Sequence, residues 1–552
     1  MTTFTDAFRS VVAERGDHTA IIEGARELTF GQLAERASAY RDTCLARGLR
    51  PGQVVVLQLE RGIEATAAMI GIALAGGAYT VIGENYPLQR RAAMLETLDL
   101  AFVLDAPLPY AASPAQPAAT VTAEPGTAAE RDVARTPDAL LYVVFTSGTT
   151  STPKAVGVPD RAVLRLLGET RLGLVPGDRI THDSTIEFDA SVIELWGGLL
   201  SGMSVLCVPT REVIDPFVML EVISHRADVM WLTSSLFNFF VDKRPEAFAG
   251  LKRVVVGGEA LSLHHVNRAL PHVEVVNGYG PTENTVFTTL DVMSGPSTPD
   301  ISIGTAVAGT ELLVVGPDGL EAEEGELLAL GDGLALGYLG DPVKTAAAFV
   351  DRHGRRAYRT GDYVRRRPDG RIDYRGRMDT QVKISGYRID LQEIEAVFLE
   401  CGAGTAKAFV DDGKVLVAVT ARGEDLRGDV AAYLPAYMQP RSILHVDTIP
   451  MTPNGKADVP ALLALAARPA AAVTAPSRPA PADVRAIVEA QHGAALPDGV
   501  DDLFALGFDS IGLWSLVTAV NDAHGTDLTL FDALDDPRIS ALERLAAPAA
   551  AA

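Results

Sequence analysis

The sequence predicts a multidomain α/β protein: a large layered α/β unit, then a small α+β unit, then a short all-α unit. Three observations carry this. Over residues 1–377, amphipathic helical stretches alternate with short β-rich runs that end in glycine-rich loops, the pattern of α/β layers with ligands at the strand ends. Over 378–465 the pattern restarts on a smaller scale. Residues 466–482 are eight alanines and four prolines out of seventeen, with no hydrophobic periodicity, and read as a semi-extended linker. Residues 483–547 are helical by pattern, and 548–552 read as a disordered tail. A chain of 552 residues is too long for one core, in keeping with three or more domains.

Taken in order, "MTTFTDAFRSVVAER" has no apolar signal-peptide core. The stretch "ATAAMIGIALAGGAYTVI", Ala65 to Ile82, is uncharged but interrupted by Gly76-Gly77. It reads as a buried helix, a glycine turn and a buried strand rather than a membrane span. The runs "DVMWLTSSLF", "LKRVVVGGEAL" and "HVEVVNGYG" supply strands of the large unit. The small unit runs from "TQVKISGYRI" through a helix from Leu391 to "AKAFV" and "KVLVAVTA", closing at "MTPNGKADVPALL". Near the end, Leu513, Leu516, Val517 and Val520 follow the i, i+3, i+4, i+7 spacing of one buried helical face. Ser510 opens that helix, where a serine either caps free N–H groups or carries chemistry.

Composition is globular, 47% hydrophobic and 22% charged, with a net charge of −23 from 48 basic and 71 acidic residues. That balance argues against a nucleic-acid partner and for a soluble protein. The three cysteines, Cys44, Cys207 and Cys401, lie far apart without ligand spacing, so neither a disulfide framework nor a zinc site is indicated. Their scarcity and the lack of a leader point to the cytoplasm.

"TSGTTSTPKAVGV", Thr146 to Val158, follows the strand "LLYVVF". Its hydroxyls and glycine suit a polyphosphate, with Lys154 adding charge. Pro153 stands where a Walker A loop requires glycine before the lysine, which excludes that pattern. The loop alone would also fit a solvated turn. It is followed in order by "FDASVIELW" (188–196), "NGYGPTE" (277–283), "YRTGD" (358–362), "GRMDTQVKISGYRI" (376–389) and "TPNGKAD" (452–458).

These motifs, with "LTFGQL" (28–33) and "ALAGGAYTVI" (73–82), resemble the adenylation domains of nonribosomal peptide synthetases, and residues 483–547 resemble a four-helix peptidyl carrier protein. The resemblance implies a ligase that uses ATP and Mg²⁺ to activate an amino acid as its aminoacyl-AMP. It then implies loading as a thioester on the 4′-phosphopantetheine of its own carrier. Catalysis of this kind is mostly charge neutralisation and positioning of two anions. Lys456 would bridge the substrate carboxylate and the α-phosphate, Thr282 would donate to that phosphate, and Glu283 would hold Mg²⁺. Thr146, Ser147, Gly148, Thr149, Thr150 and Lys154 would form the phosphate loop, in which Ser151 and Ala155 replace common glycines. Gly257, Gly258, Glu259, Asn277, Gly278 and Gly280 would border the nucleotide, with Tyr279 stacked on adenine. Asp362 would accept the ribose hydroxyls, which two carboxylate oxygens suit, and Arg377 would add a ribose contact. Asp379 marks the hinge of the small unit.

By the same resemblance, Asp189 would pair with the substrate's α-ammonium, and Ala190, Ile193, Trp231, Val255, Gly257, Gly278, Val286 and Phe287 would line the side-chain pocket. Gly257 and Gly278 would open space there, while Trp231 and Phe287 limit its depth. The set is apolar and similar to pockets of the family that select valine, which implies L-valine, with isoleucine and 2-aminobutyrate as nearest competitors. Ser510 is the residue that a phosphopantetheinyl transferase would modify, and Ile511 and Trp514 beside it would suit docking onto a partner. No condensation or thioesterase segment is found, so tailoring or condensation enzymes would take the aminoacyl group onward. An MbtH-like helper protein is a further partner known to the family, on which the sequence is silent. Neither nucleic acid nor membrane is expected as a partner.

Overall fold

The computed structural model describes residues 2–83, 86–108, 131–148, 152–208, 226–384, 386–411, 413–421, 426–451 and 457–466. In the C-terminal unit it describes 483–492, 496, 500–503, 506, 508, 510–524, 526, 528, 533 and 536–546. Thr149, Thr150 and Lys456 lie outside the described residues, as do most of the Ala/Pro segment, the final tail and the side chains of Ser510, Ile511 and Trp514.

Two mixed sheets form the layered part of the large unit. One has nine strands, with Val229–Thr233, Arg253–Gly257 and Glu274–Tyr279 adjacent near one end. The other has six, with Ala78–Val81, Leu140–Thr146 and Lys154–Pro159 side by side. The membrane-like stretch resolves as expected into helix Ile63–Leu74, a turn with Gly76 at φ 79°, and strand Ala78–Val81. Every helix residue except Glu64 is buried. Gly71 lets the helix lie against Phe30–Ala46, since a Cβ there would meet the Ala37 carbonyl at 2.6 Å. Among the described residues no helix is long and apolar enough to cross a membrane.

The α/β alternation does not extend to residue 377. From Thr310 the chain forms a five-stranded antiparallel sheet: Thr310–Val315, Glu324–Gly331, Arg355–Arg366, Phe349–Arg352 and Ile372–Arg377. Along Arg355–Arg366 covered and open positions alternate over much of its length, while Gly325–Leu330 of the neighbouring strand are buried on both faces.

The small unit opens with a two-stranded hairpin, Gln381–Ile384 and Tyr387–Asp390. Helix Leu391–Glu400 follows, with the Asp390 carboxylate accepting from Gln392 N–H at its start. A three-stranded sheet, Ala403–Asp411, Lys414–Ala421 and Ser442–His445, completes its core. In the C-terminal unit, helices Val484–His492, Ser510–His524 and Ile539–Ala546 surround buried Leu513, Leu516, Val517 and Val520, the face that the spacing predicts. The segment where a fourth helix is expected lies largely outside the described residues.

Candidate active site

The site is built at the carboxyl ends of three parallel strands held in register. Trp231 pairs with Val255 and Val255 with Val276, while Thr233, Gly257 and Gly278 align at the strand ends. Thr233 and Gly278 there border a cavity of about 470 Å³. Such crevices are where open α/β sheets bind ligands.

Asp189, Ala190, Trp231, Gly278, Val286 and Phe287 all line this cavity. The two pocket glycines have a different role from the one expected. A Cβ on Gly257 would stand 2.7 Å from the Trp231 ring and would collide with the Gly278 carbonyl, and one on Gly278 would collide with the Phe287 ring. The space left by the absent side chains is therefore filled by aromatic rings, whose centroids lie 5.6 Å apart. Ile193 and Val255 are 2% exposed and belong to the core behind the cavity, and Gly257 is likewise not among its lining residues.

Asp189 follows Phe188 and precedes the short helix Ala190–Val192. Enclosure raises its carboxyl pKa above the ordinary value, an effect opposed by the Thr282 hydroxyl and by nearby Lys383. A carboxylate desolvated in this way gains most from a bound cation. Apolar walls lie on one side of it, and polar groups, among them Thr282, Lys383 and Arg388, on the other.

On the nucleotide side, the Tyr279 hydroxyl donates to Asp362, and Arg377 Nη1 donates to the other oxygen of Asp362 at 3.0 Å. Tyr279, Asp362, Arg377, Gly258, Gly280, Thr282, Thr146 and Ser147 all line the same cavity. Arg377 also bonds Asp379, Nε to Oδ1 at 2.9 Å, so the ribose candidate and the hinge candidate share one guanidinium. Burial raises the Asp379 carboxyl, but Arg377 outweighs it and holds the group below its ordinary range. Other expected nucleotide residues stand elsewhere. Asn277 is buried and donates to Ser302 O at 2.6 Å. Glu259 accepts from Gly386 N–H and from the Ser235 hydroxyl, both at 2.7 Å. Lys154 lies 5.5 Å from the Tyr338 ring centroid and faces a separate pocket with Lys344 and Arg359.

One wall of the cavity comes from the small unit. Lys383, Gly386, Tyr387, Arg388 and Tyr437 face into it. Tyr387 and Tyr437 stack with centroids 4.2 Å apart, and Phe188 meets Tyr387 edge-on at 5.0 Å. Arg388 Nη1 donates to Glu283 Oε2 at 2.7 Å, and Tyr338 OH donates to Oε1 at 2.8 Å. Gly148 N–H donates to Glu393 at 2.9 Å, while Arg90 pairs with the other Glu393 oxygen at 2.6 Å. The Ser147 hydroxyl donates to Arg388 O at 2.7 Å. The docked hairpin thus occupies the Glu283 carboxylate and part of the phosphate loop.

Glu283 is fully buried, which raises its pKa, yet Arg388 and the Tyr338 hydroxyl together bring it down to about 2. It is a hard, ionised oxygen donor. Among the described residues no cluster of three or more His, Cys, Asp or Glu could hold a metal ion. A single carboxylate of this kind suits Mg²⁺ bound jointly with substrate phosphates, the usual mode for that ion.

Sequence reasoning missed Lys383, Tyr387, Arg388, Glu393, Arg90 and Tyr437. The available signal was the pair of cations flanking Ser385-Gly386 in "KISGYR", a hairpin turn with Lys383 and Arg388 across from each other.

Residues 8–339 match the family model of an AMP-binding enzyme, and residues 482–546 match that of a phosphopantetheine attachment site. The chain belongs to the AMP-binding enzymes, as an adenylation domain fused to a carrier domain. This adenylation–carrier protein is similar to the structure of holo-PA1221, an NRPS protein containing adenylation and PCP domains, bound to a vinylsulfonamide inhibitor. The TM-score is 0.83 at 32% identity, over 98% of this chain and 96% of that one. It is 32% identical over 98% of its length to tyrocidine synthase 3 of Brevibacillus parabrevis, and 32% identical over 98% to gramicidin S synthase 2 of Brevibacillus brevis. The adenylation–carrier protein spans only 9% and 13% of those two synthases.

Proposed function

We propose that this adenylation–carrier protein activates L-valine with ATP as valyl-AMP and transfers it to its own carrier domain. The observation that carries this reading is the single cavity in which Asp189 stands before an apolar wall of Trp231, Val286 and Phe287, with Tyr279 and Asp362 at its other side. Asp189 would bind the α-ammonium, a charge-assisted contact worth about 1.5–3 kcal/mol, and would select against acids without an amine. The apolar wall offers no partner to a polar side chain, whose desolvation would be uncompensated. Isoleucine and 2-aminobutyrate are the nearest competitors.

The Thr282 hydroxyl would hold the α-phosphate oxygen, Asp362 and Arg377 would orient the ribose, and Tyr279 would border the adenine. Lys456 would neutralise the meeting of carboxylate and phosphate. With Arg388 withdrawn from its carboxylate, Glu283 would hold Mg²⁺, which when bound supplies charge neutralisation at the phosphates. Tyr387 of the hairpin and Tyr437 of the small unit, stacked on one another, would wall the cavity on that side and keep water from the reacting groups. Ser510, at the first turn of its helix, would carry the phosphopantetheine arm, which supplies the accepting thiol. A phosphopantetheinyl transferase would install it, and a condensation or tailoring enzyme would receive the aminoacyl group.

The test is ATP–pyrophosphate exchange across a panel of amino acids at equal concentration. Valine should lead, with measurable activity on both neighbours, because one methylene in an apolar pocket discriminates by only ~10–200-fold. A clear preference for an acidic, basic or aromatic amino acid would overturn the pocket assignment, and exchange with none of them would overturn the activity.

A further inference from the structure

Val286 and Phe287 reach the cavity from a loop with an unusual backbone. Thr285 and Val286, both β-branched, adopt φ of 51° and 64° in succession. Side chains of this kind rarely occupy the left-handed region, and such residues persist only where their surroundings over-determine them. The effect of two successive left-handed residues is to turn several carbonyls toward one point. At that point stands a guanidinium. Arg165 Nη2 donates to the carbonyls of Asn284, Thr285 and Phe287, the last two at 3.1 and 2.6 Å. Its Nη1 donates to the Thr310 hydroxyl at 2.7 Å.

Arg165 comes from the turn Arg165–Gly168, far from the loop in sequence, and is 8% exposed. Room for it depends on Gly333, where a Cβ would overlap the guanidinium, and Gly333 O accepts from the Thr285 hydroxyl at 2.9 Å. Gly333 and Thr310 therefore form a fitted seat for one cation whose chief acceptors are three carbonyls of a single loop. Arginine's planar fork suits this convergent geometry better than a lysine point charge.

We infer that Arg165 is a positioning residue for amino-acid selectivity: it holds the strained 284–287 loop in the one conformation that presents Val286 and Phe287 to the substrate. Arg165 itself does not line the cavity, so it acts through those two side chains. With the guanidinium removed, the carbonyls of Asn284 and Phe287 lose this donor, Thr285 O keeps only the bond from Phe287 N–H, and the left-handed pair loses the contact that fixes it. Phe287 then leaves its place over Gly278, and the depth of the pocket is no longer defined.

This inference rests on the amino-acid pocket assigned above, and the native protein's own selectivity is the control that separates the two. A native protein that exchanges with no amino acid, or with all alike, refutes the pocket assignment. Given a selective native protein, we would measure kcat/KM for the preferred amino acid and its best competitor in Arg165→Gln, Gly333→Ala and Arg165→Lys, with KM for ATP alongside. Arg165→Gln and Gly333→Ala should reduce the selectivity ratio at least ~10-fold through KM for the amino acid, leaving KM for ATP within about twofold. Arg165→Lys, which keeps the charge but not the fork, should fall between them and the native protein. A native ratio in either of the first two variants, when folded by circular dichroism, overturns the inference. So does an equal loss for every amino acid and for ATP, which is what a purely structural role would produce. If neither of those folds, Arg165→Lys decides: a ratio reduced about threefold or more supports the inference, and a native ratio overturns it.

Discussion

Arg388 and Glu283 join the small unit to the large one through a bond of 2.7 Å, Nη1 to Oε2. The carboxylate is buried and yet ionised, because the guanidinium faces it across the seam. Its state can be read through acid.

The Glu283 carboxyl sits at about 2 in the folded protein against an ordinary 4.5. The folded state therefore binds fewer protons than the unfolded one between those values, and stability falls as pH drops through that window. The contribution is fully present above 4.5. Thermal midpoints of the native protein and of Glu283→Gln, taken from about pH 6 down to about pH 3, should converge as the pH falls. Parallel curves would show that the pair contributes nothing to the docked arrangement.

Ser510→Ala should leave amino-acid-dependent pyrophosphate exchange intact and abolish covalent loading. Activation and attachment are assigned to different domains, joined by the Ala/Pro segment. Intact mass after treatment with coenzyme A and a phosphopantetheinyl transferase reads this directly. A normal mass gain in the variant would move the attachment site elsewhere.

Lys456→Ala should slow adenylate formation by at least ~10²-fold, the cost of one strong transition-state donor. Transfer from preformed adenylate to the carrier should suffer much less, because Lys383 and Arg388 of the hairpin face the cavity and we propose that this is the arrangement of the transfer step. Single-turnover measurement of each half separates the outcomes, and equal damage to both would contradict the role assigned to Lys456.

Gly278→Ala should alter selectivity rather than abolish activity. The added methyl would collide with the Phe287 ring, which would have to shift at an overpacking cost of about 1–3 kcal/mol. Turned toward the substrate, the ring favours the smaller amino acid, so 2-aminobutyrate should gain on valine by about tenfold in kcat/KM. An unchanged ratio in a folded variant would show that Phe287 yields away from the cavity.

Much of this architecture was legible because it is local. The helix, glycine turn and strand of residues 63–81 follow from an apolar run broken by two glycines, and the buried face of Leu513, Leu516, Val517 and Val520 follows from spacing alone. The motifs likewise carried Asp189, Trp231, Tyr279 and Asp362 into one cavity. What stayed hidden depends on contacts between distant segments. Arg90 is 303 residues from Glu393, and no periodicity announces that pair. No motif singles out Arg165, whose carbonyl partners lie some 120 residues on. Gly257 and Gly278 look like empty space in a list of pocket residues, because a sequence does not show that neighbouring rings have moved in.

Those two glycines also determine how this pocket could be retooled. Each ring lies directly against strand backbone, with no side chain between ring and glycine. Trimming Trp231 or Phe287 would therefore merge the vacated volume with the substrate's own space, bounded behind by an already rigid sheet. A lineage, or a designer, can enlarge the accepted amino acid by shortening a ring while leaving every strand where it stands. Exchanging Gly257 for a larger residue offers no comparable path toward a smaller one, since there the obstacle is main chain, the Gly278 carbonyl.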